Sequence, residues 1–147
     1  ACRRCGPAGH DGGTVMPHAR ISLLRGASPA YLRALSSSLN QAMHEAFEVP
    51  AGDCFQMIHQ HAPEELVFDR HYLGGPRSDR FVLIAITAGR ERSDACKQAF
   101  YRRLVELLAI APGIAPEDVM VTIVTTSAQD WSFGGGRAGI TASGVPA

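Results

Sequence analysis

One proline, one aspartate and two arginines are the residues from which an active site could be built. Pro17 follows Met16 at the start of an apolar segment, and removal of that methionine would leave Pro17 at the N-terminus. An N-terminal proline is a secondary amine that can act as base or nucleophile near neutral pH. An internal proline is an amide without a basic lone pair, and on local sequence alone the preferred interpretation is that Pro17 merely opens an edge strand. Asp53, Arg90 and Arg92 could supply a carboxylate and a cationic anchor for a small carboxylic acid.

Two helices and four strands are predicted around these residues. Ser28 is a favourable N-cap with Pro29 at the first helical position, and Pro50 ends the helix. Ser93 caps a second helix, which ends before residues 112–113. Apolar and β-branched runs predict strands at residues 16–24, 54–61, 80–88 and 118–125.

The predicted elements repeat along the chain. A shift of the first half superimposes Ile21 on Ile86, Ser28 on Ser93, Leu39 on Leu104, Asp53 on Asp118, and Ile58 on Ile123. The fold class is therefore α/β (α+β), with two β-α-β units whose right-handed crossovers make each strand pair parallel. Both helices are expected on one face of a four-stranded sheet. The other face is too apolar to remain in water, which predicts a homo-oligomer.

The repeat also predicts where the candidate residues meet. If the units pack about a pseudo-two-fold axis, the first and third strands are antiparallel neighbours. Pro17 then lies beside the segment that carries Arg90 and Arg92, and Asp53 lies at the same end of the sheet. The two arginines also precede a helix N-terminus, which favours anions. These positions predict a site for a small carboxylate.

Several segments resemble the tautomerase superfamily, and most of all its malonate semialdehyde decarboxylase-like branch, which is related to 4-oxalocrotonate tautomerase. The likeness runs from Pro17 to about Arg137, with motifs in the expected order. The matching segments are MP at 16–17, VPAGDCFQ at 49–56, HQH at 59–61, PEEL at 63–66, GRERS at 89–93 and DWSFG at 130–134. This resemblance implies a β-α-β pseudo-repeat, a homotrimer and a catalytic N-terminal proline.

The resemblance also implies roles for single residues. Asp53, Arg90 and Arg92 would assist the proline, and Trp131 and Phe133 would form a wall of the substrate pocket. Leu73 is likewise predicted to line the pocket. The implied substrate is a small oxo-acid that carries a carboxylate, and no cofactor is expected.

Two chemistries remain open. In a decarboxylase, a protonated Pro17 would hydrogen-bond the ketone of a 3-oxo acid such as malonate semialdehyde. In a keto–enol tautomerase, a neutral Pro17 would be the general base. Arg90 and Arg92 would lower the pKa of the amine and Asp53 would raise it. The alternative from another class is a non-catalytic trimeric ligand-binding or structural protein, in which Pro17 stays internal.

Composition and the remaining motifs narrow the possible partners. The 14 basic residues balance 14 acidic ones, so neither nucleic acid nor an anionic membrane surface is an expected partner. The apolar runs are too short to cross a bilayer, and we expect a cytoplasmic protein.

His59 and His61 share a strand face without an obvious third ligand, so no metal is predicted. Residues 1–16 are predicted to form a flexible arm, from a tag or an over-called start, ahead of a domain at 17–147.

Overall fold

The computed structural model describes residues 16–139, which form four strands and two long helices. In chain order these are β1 (His18–Leu24), α1 (Pro29–Phe47), β2 (Phe55–His61), β3 (Val82–Ala88), α2 (Asp94–Ile110) and β4 (Val119–Thr125). Two short 3₁₀ turns lie on either side of β4, at Pro116–Asp118 and Ala128–Asp130. Every predicted element is present, and each strand begins one or two residues later than predicted. The predicted arm lies outside the described residues except for Met16.

Side-chain caps fix the start of both helices. The hydroxyl of Ser28 accepts a hydrogen bond from the Tyr31 amide, and Pro29 occupies the first turn of α1. Ser93 accepts in the same way from the Cys96 amide at the start of α2. Each cap satisfies an amide that has no partner within the helix. Because α2 begins immediately after the turn that carries the two candidate arginines, its cap also holds that turn in place.

The strand order is β2-β1-β3-β4. β1 runs parallel to β2, with Ile21 beside Ile58, and antiparallel to β3, with Ile21 beside Ile84. β3 runs parallel to β4, with Ile84 beside Val121. The predicted pseudo-two-fold arrangement of two β-α-β units is therefore confirmed.

The hydrophobic core lies between the sheet and the two helices. Alternate residues of the central strands, such as Ala19, Ile21 and Ile84, have no exposed surface. They form one cluster with side chains from both helices, which include Leu35, Leu39, Phe47, Phe100, Leu104 and Leu108. Both helices therefore cover the same face of the sheet, as predicted.

The second face of the sheet is uncovered in the single chain. We call it the open face, and it carries the alternate strand residues that point away from the helices. Four large apolar side chains lie on it with 41–60% of their surface exposed: Phe55, Met57, Met120 and Val124. The prediction of an uncovered apolar face is confirmed.

Asp118 is a buried carboxylate that ties the loop before β3 to the start of β4. It accepts hydrogen bonds from the amide and the hydroxyl of Ser78, both at 2.6 Å. We expect Asp118→Ala to lower the free energy of unfolding by about 1–3 kcal/mol, because the Ser78 amide loses its partner. Urea unfolding measures the change. The control is Asp79→Ala, which removes an exposed pair with Arg70 and should cost less than about 1 kcal/mol; equal losses would contradict the prediction.

Candidate active site

Pro17 lies immediately before β1 and is buried. The next residue, His18, is beside Phe55 at the start of β2 and beside Thr87 near the end of β3. Because β1 is a central strand, Pro17 lies between the beginning of one neighbour and the end of the other. The segments that carry the candidate aspartate and arginines therefore meet at the Pro17 end of the sheet, as predicted.

Asp53 differs from its counterpart in the second repeat. Asp118 uses both carboxylate oxygens to bind Ser78. Asp53 is half-buried, and within residues 16–139 its carboxylate has no hydrogen bond or ion pair. Its backbone amide donates to the Pro50 carbonyl at 2.9 Å, which fixes the turn before β2. Asp118 is thus structural, whereas the Asp53 carboxylate has no partner among residues 16–139 and lies at the Pro17 end of the sheet.

Arg90 and Arg92 pack against the C-terminal end of α1. Arg90 Nη2 donates to the Phe47 carbonyl at 3.3 Å, and the Arg92 guanidinium lies 4.6 Å from the centre of the Phe47 ring. In the described part of the chain, neither guanidinium forms an ion pair with a carboxylate. Burial, and then the charge of Arg90, lower the pKa of Arg92 to about 10, while Glu48 raises it. Arg92 thus remains a cation at neutral pH, and an incoming anion would stabilise it.

Three buried side-chain atoms without a hydrogen-bond partner cluster at the same end. Over residues 16–139 they are His18 Nδ1, Gln56 Oε1 and Arg92 Nε. His18 follows Pro17, Gln56 is the second residue of β2, and Arg92 follows β3. Buried polar groups are usually satisfied in folded proteins, so each exception requires an explanation. All three belong to segments that meet at the Pro17 end of the sheet, on different sides of it: Gln56 Nε2 donates to the Ser36 carbonyl of α1, whereas His18 lines the open face.

An aromatic wall borders this end on the open face. The rings of Trp131 and Phe133 are stacked with centroids 5.6 Å apart and planes 7° from parallel, and the His18 ring meets Trp131 edge-on at 5.6 Å. Trp131 is held in place because its Nε1–H donates to the Thr126 hydroxyl at 2.6 Å, which donates to the Ala88 carbonyl. The predicted pair Trp131 and Phe133 is therefore brought next to the residue that follows Pro17.

The aromatic wall and the adjacent strands enclose a cleft of about 550 Å³. Its lining includes His18, Phe55 and Met57, which the sequence analysis did not assign to the site. The alternation of side-chain directions along the predicted strands could have identified these three residues. His18 follows Pro17, and Phe55 and Met57 are the first and third residues of β2, so all three point to the open face.

Leu73 lies away from this cleft within one chain. It is 89% exposed in the loop between β2 and β3. The adjoining Gly75 amide donates to the carboxylate of Glu117, which precedes β4 at the opposite end of the sheet from Pro17. Within one chain Leu73 does not line this cleft, because the loop is anchored to the far end of the sheet, and its role in the pocket stays a prediction.

The rings of His59 and His61 lie on the open face with centroids 6.4 Å apart. Their shared strand face is as predicted. Among residues 16–139 no group of three or more His, Cys, Asp or Glu side chains is arranged to hold a metal ion.

Family models and curated proteins resemble this chain over most of its length. A family model described as a tautomerase enzyme matches residues 53–134, and a second with the same description matches residues 17–75. The probable tautomerases YusQ and YrdN of Bacillus subtilis (strain 168) are each 36% identical over 123 residues. The alignments cover 84% of this chain and 97% and 95% of those proteins. The chain belongs to the tautomerase superfamily.

Among solved structures, two malonate semialdehyde decarboxylases are similar to this tautomerase-superfamily enzyme. A malonate semialdehyde decarboxylase is 39% identical, with a TM-score of 0.76 over 81% of this chain and 92% of that one. It was solved in wild-type and inactivated forms and with its first residue, a proline, replaced by alanine, and decarboxylase and hydratase activities are attributed to it. The FG41 malonate semialdehyde decarboxylase, inhibited by 3-bromopropiolate, is 32% identical with a TM-score of 0.74, over 80% of this chain and 89% of that one.

More distant structures share the fold alone. A fused 4-OT symmetric trimer is 16% identical, with a TM-score of 0.67 over 86% of this chain and 97% of that one. Between residues 16 and 139, neither helix has the length and apolar character needed to cross a membrane.

Proposed function

We propose that this chain, processed to begin at Pro17, uses the proline amine to decarboxylate a small 3-oxo acid such as malonate semialdehyde. The observation that carries the proposal is the convergence of Pro17, Asp53, Arg90 and Arg92 at one end of the sheet. Within residues 16–139, neither the Asp53 carboxylate nor the two guanidinium groups form an ion pair. A carboxylate substrate would supply the anion that these cations lack. The 39% identity to a malonate semialdehyde decarboxylase adds support.

In this mechanism the two arginines hold the substrate carboxylate while Pro17, as a secondary ammonium, donates a hydrogen bond to the 3-oxo oxygen. The bond between the carboxylate carbon and the α-carbon breaks, and its electron pair moves toward the carbonyl to form an enol or enolate. The ammonium stabilises the negative charge that develops on oxygen as carbon dioxide leaves. Asp53 keeps the amine protonated, because a nearby negative charge raises the pKa of a cationic acid.

Keto–enol tautomerisation is the second candidate. It is favoured by Arg90 and Arg92, because positive charges near an amine lower its pKa and leave it neutral. A neutral Pro17 would take a proton from the enol oxygen, and its conjugate acid would deliver one to carbon. The two candidate reactions require opposite protonation states of the Pro17 nitrogen, so their rates change with pH in opposite directions.

The pH dependence of kcat/KM distinguishes the two reactions. If Pro17 acts as the ammonium, we expect decarboxylation to be constant at low pH and to fall as pH rises through the amine pKa, which is near 8 for an ordinary α-amine. If Pro17 acts as the base, tautomerisation rises through the same pKa. Assays of 3-oxo acids and enol pyruvates across this range give the answer. A decarboxylation rate that rises with pH would contradict the ammonium mechanism.

We also infer that the functional unit is a homotrimer, because the open face leaves large apolar side chains in water in a single chain. A cytoplasmic location stays a prediction. If Pro17 remains internal, the same trimer would instead bind small carboxylates without catalysis. Mass measurement in solution tests the trimer, and a monomer at micromolar concentration would contradict it.

A further inference from the structure

Both candidate arginines contact the last residue of α1. Phe47 ends that helix and is buried, and its ring stacks on Phe100 of α2 with centroids 4.4 Å apart. The carbonyl of Phe47 accepts the hydrogen bond from Arg90, and its ring lies against the guanidinium of Arg92. One residue of the first β-α-β unit therefore contacts both cations that the second unit supplies.

The end of α1 stabilises positive charge in two ways. The last carbonyls of a helix have no partner within it and carry the negative end of the helix dipole, so Arg90 meets both an acceptor and a favourable field. The face of an aromatic ring attracts a cation, most strongly where water is excluded, and Arg92 is half-buried against Phe47. These attractions oppose the repulsion between the two guanidinium groups, which lie close enough for Arg90 to lower the pKa of Arg92, after burial.

The same contacts restrict the orientation of Arg92. Its guanidinium lies against the Phe47 ring, and its Nη1 donates to the Arg90 carbonyl at 3.1 Å. A planar group held at two points has little freedom to rotate. Its buried Nε has no partner among residues 16–139. Arg92 is thus oriented before an anion arrives, which reduces the entropy that binding must cost.

The aromatic ring is a feature of one half of the repeat. The alignment of the two units places Phe47 at Pro112 and Arg90 at Arg25. Arg25 is exposed, and its guanidinium lies 4.0 Å from the carboxylate of Glu65. The ring therefore occurs at the helix end that faces the candidate carboxylate site, and the other half has proline at the equivalent position.

We propose that Phe47 is a positioning residue, which holds Arg90 and Arg92 in the geometry that binds the substrate carboxylate. The inference rests on the proposed function, in which the two arginines are the carboxylate anchor. The competing explanation is that Phe47 only fills the core beside Phe100. The two explanations predict different results when each phenylalanine is replaced, because within residues 16–139 the Phe100 ring faces no cation.

Phe47→Met and Phe100→Met form the matched pair of variants. Methionine keeps most of the volume and adapts to the space left, so both variants should fold and should lose similar stability in urea unfolding. The backbone carbonyl that binds Arg90 is retained, so Phe47→Met removes only the ring. Phe47→Leu and Phe100→Leu repeat the comparison if a methionine variant does not fold.

Carboxylate binding is measured apart from turnover. Malonate, a dicarboxylate without a reactive carbonyl, is titrated into protein that begins at Pro17, and the heat of binding is recorded. We expect Phe47→Met to weaken malonate binding, and to raise KM for a 3-oxo acid, by about five- to tenfold, the size of a partly desolvated contact between a cation and a ring. The change in kcat should be smaller, because Pro17 still meets the carbonyl. Phe100→Met should leave both constants nearly unchanged.

A double-variant cycle tests whether Phe47 acts through Arg92. In protein that carries Arg92→Gln, the ring has no guanidinium to hold, so Phe47→Met should cause little further loss of malonate affinity. An undiminished further loss, or equal weakening by Phe47→Met and Phe100→Met, would overturn the inference and make Phe47 a core residue. Malonate binding by the unsubstituted protein would in that case still support the carboxylate site.

Other outcomes concern the proposed function itself. If the unsubstituted protein does not bind malonate, or if Arg92→Gln leaves malonate binding unchanged, the carboxylate anchor is overturned and the role of Phe47 with it. If malonate binding follows the expected pattern but no oxo acid is turned over, the positioning role is supported and only the proposed reaction is overturned.

Discussion

Protein that begins at Pro17 is expected to be at least about 10³-fold more active, in kcat/KM on a 3-oxo acid, than the same protein with Met16 still attached. The reason is that the chemistry of the Pro17 nitrogen changes when Met16 is removed. Peptide-bonded Pro17 has neither a basic lone pair nor a hydrogen, so it can act neither as a base nor as a hydrogen-bond donor. Removal of Met16 converts it to a secondary amine that can do both. The two preparations are compared at equal concentration after intact mass measurement.

Two controls separate the chemistry from the fold. Circular dichroism and urea unfolding should be nearly the same for both preparations, because Met16 lies outside β1. Pro17→Ala in the processed protein retains an amine but loses the ring that fixes its direction, so its activity should fall between those of the two preparations. Equal activity with and without Met16 would mean that the amine takes no part, and the non-catalytic alternative would replace the proposal.

The topology could be predicted because the repeat and the caps are local sequence features. Ser28 and Ser93 occupy equivalent positions in the two halves, and each caps its helix as expected. Once both halves are β-α-β units, handedness and a pseudo-two-fold axis determine which strands are neighbours. The placement of Asp53, Arg90 and Arg92 at one end of the sheet follows from that register, since all three flank strand ends.

The open-face cleft could not be predicted in the same way. Trp131 belongs to a segment after β4 without periodicity, and its ring is positioned by contacts with Thr126, His18 and Phe133. The position of Leu73 could not be predicted for a similar reason, because a loop of about twenty residues between two strands can lie against either end of the sheet. Its position is set by contacts such as the Gly75 amide with Glu117, 42 residues away. Long-range contacts of this kind leave no local sequence pattern.

The pseudo-repeat also concealed a functional difference. Asp53 and Asp118 occupy equivalent positions, which would give both the same role as a turn residue. The loop before β3 supplies Ser78 to Asp118, whereas no residue among 16–139 binds the Asp53 carboxylate. Within the described residues the two halves thus differ in that only Asp53, at the Pro17 end, has no partner for its carboxylate.

Arg92 should be more important for substrate binding than for stability. Its guanidinium is half-buried beside Arg90, and its pKa is lowered to about 10, so in the absence of an anion the folded state gains little from its charge. We expect Arg92→Gln to lower kcat/KM by about 10²-fold, because a charge-assisted contact to the substrate carboxylate and to the charge developing in the transition state is lost. The free energy of unfolding should change by less than about 1 kcal/mol, since the lost contact with the Phe47 ring is offset by relief of the repulsion from Arg90.

Arg103→Gln is the matched control for this substitution. Arg103 pairs with Glu45 and Glu106 on the exposed surface of the two helices. Its loss should leave kcat/KM unchanged and should cost less than about 1 kcal/mol of stability. Steady-state kinetics and urea unfolding of both variants make the comparison. If Arg92→Gln mainly destabilised the protein and left kcat/KM of the folded fraction intact, Arg92 would be a packing residue. The carboxylate would then have to be bound by Arg90 alone, whose exposed guanidinium holds an anion less firmly because water competes for it.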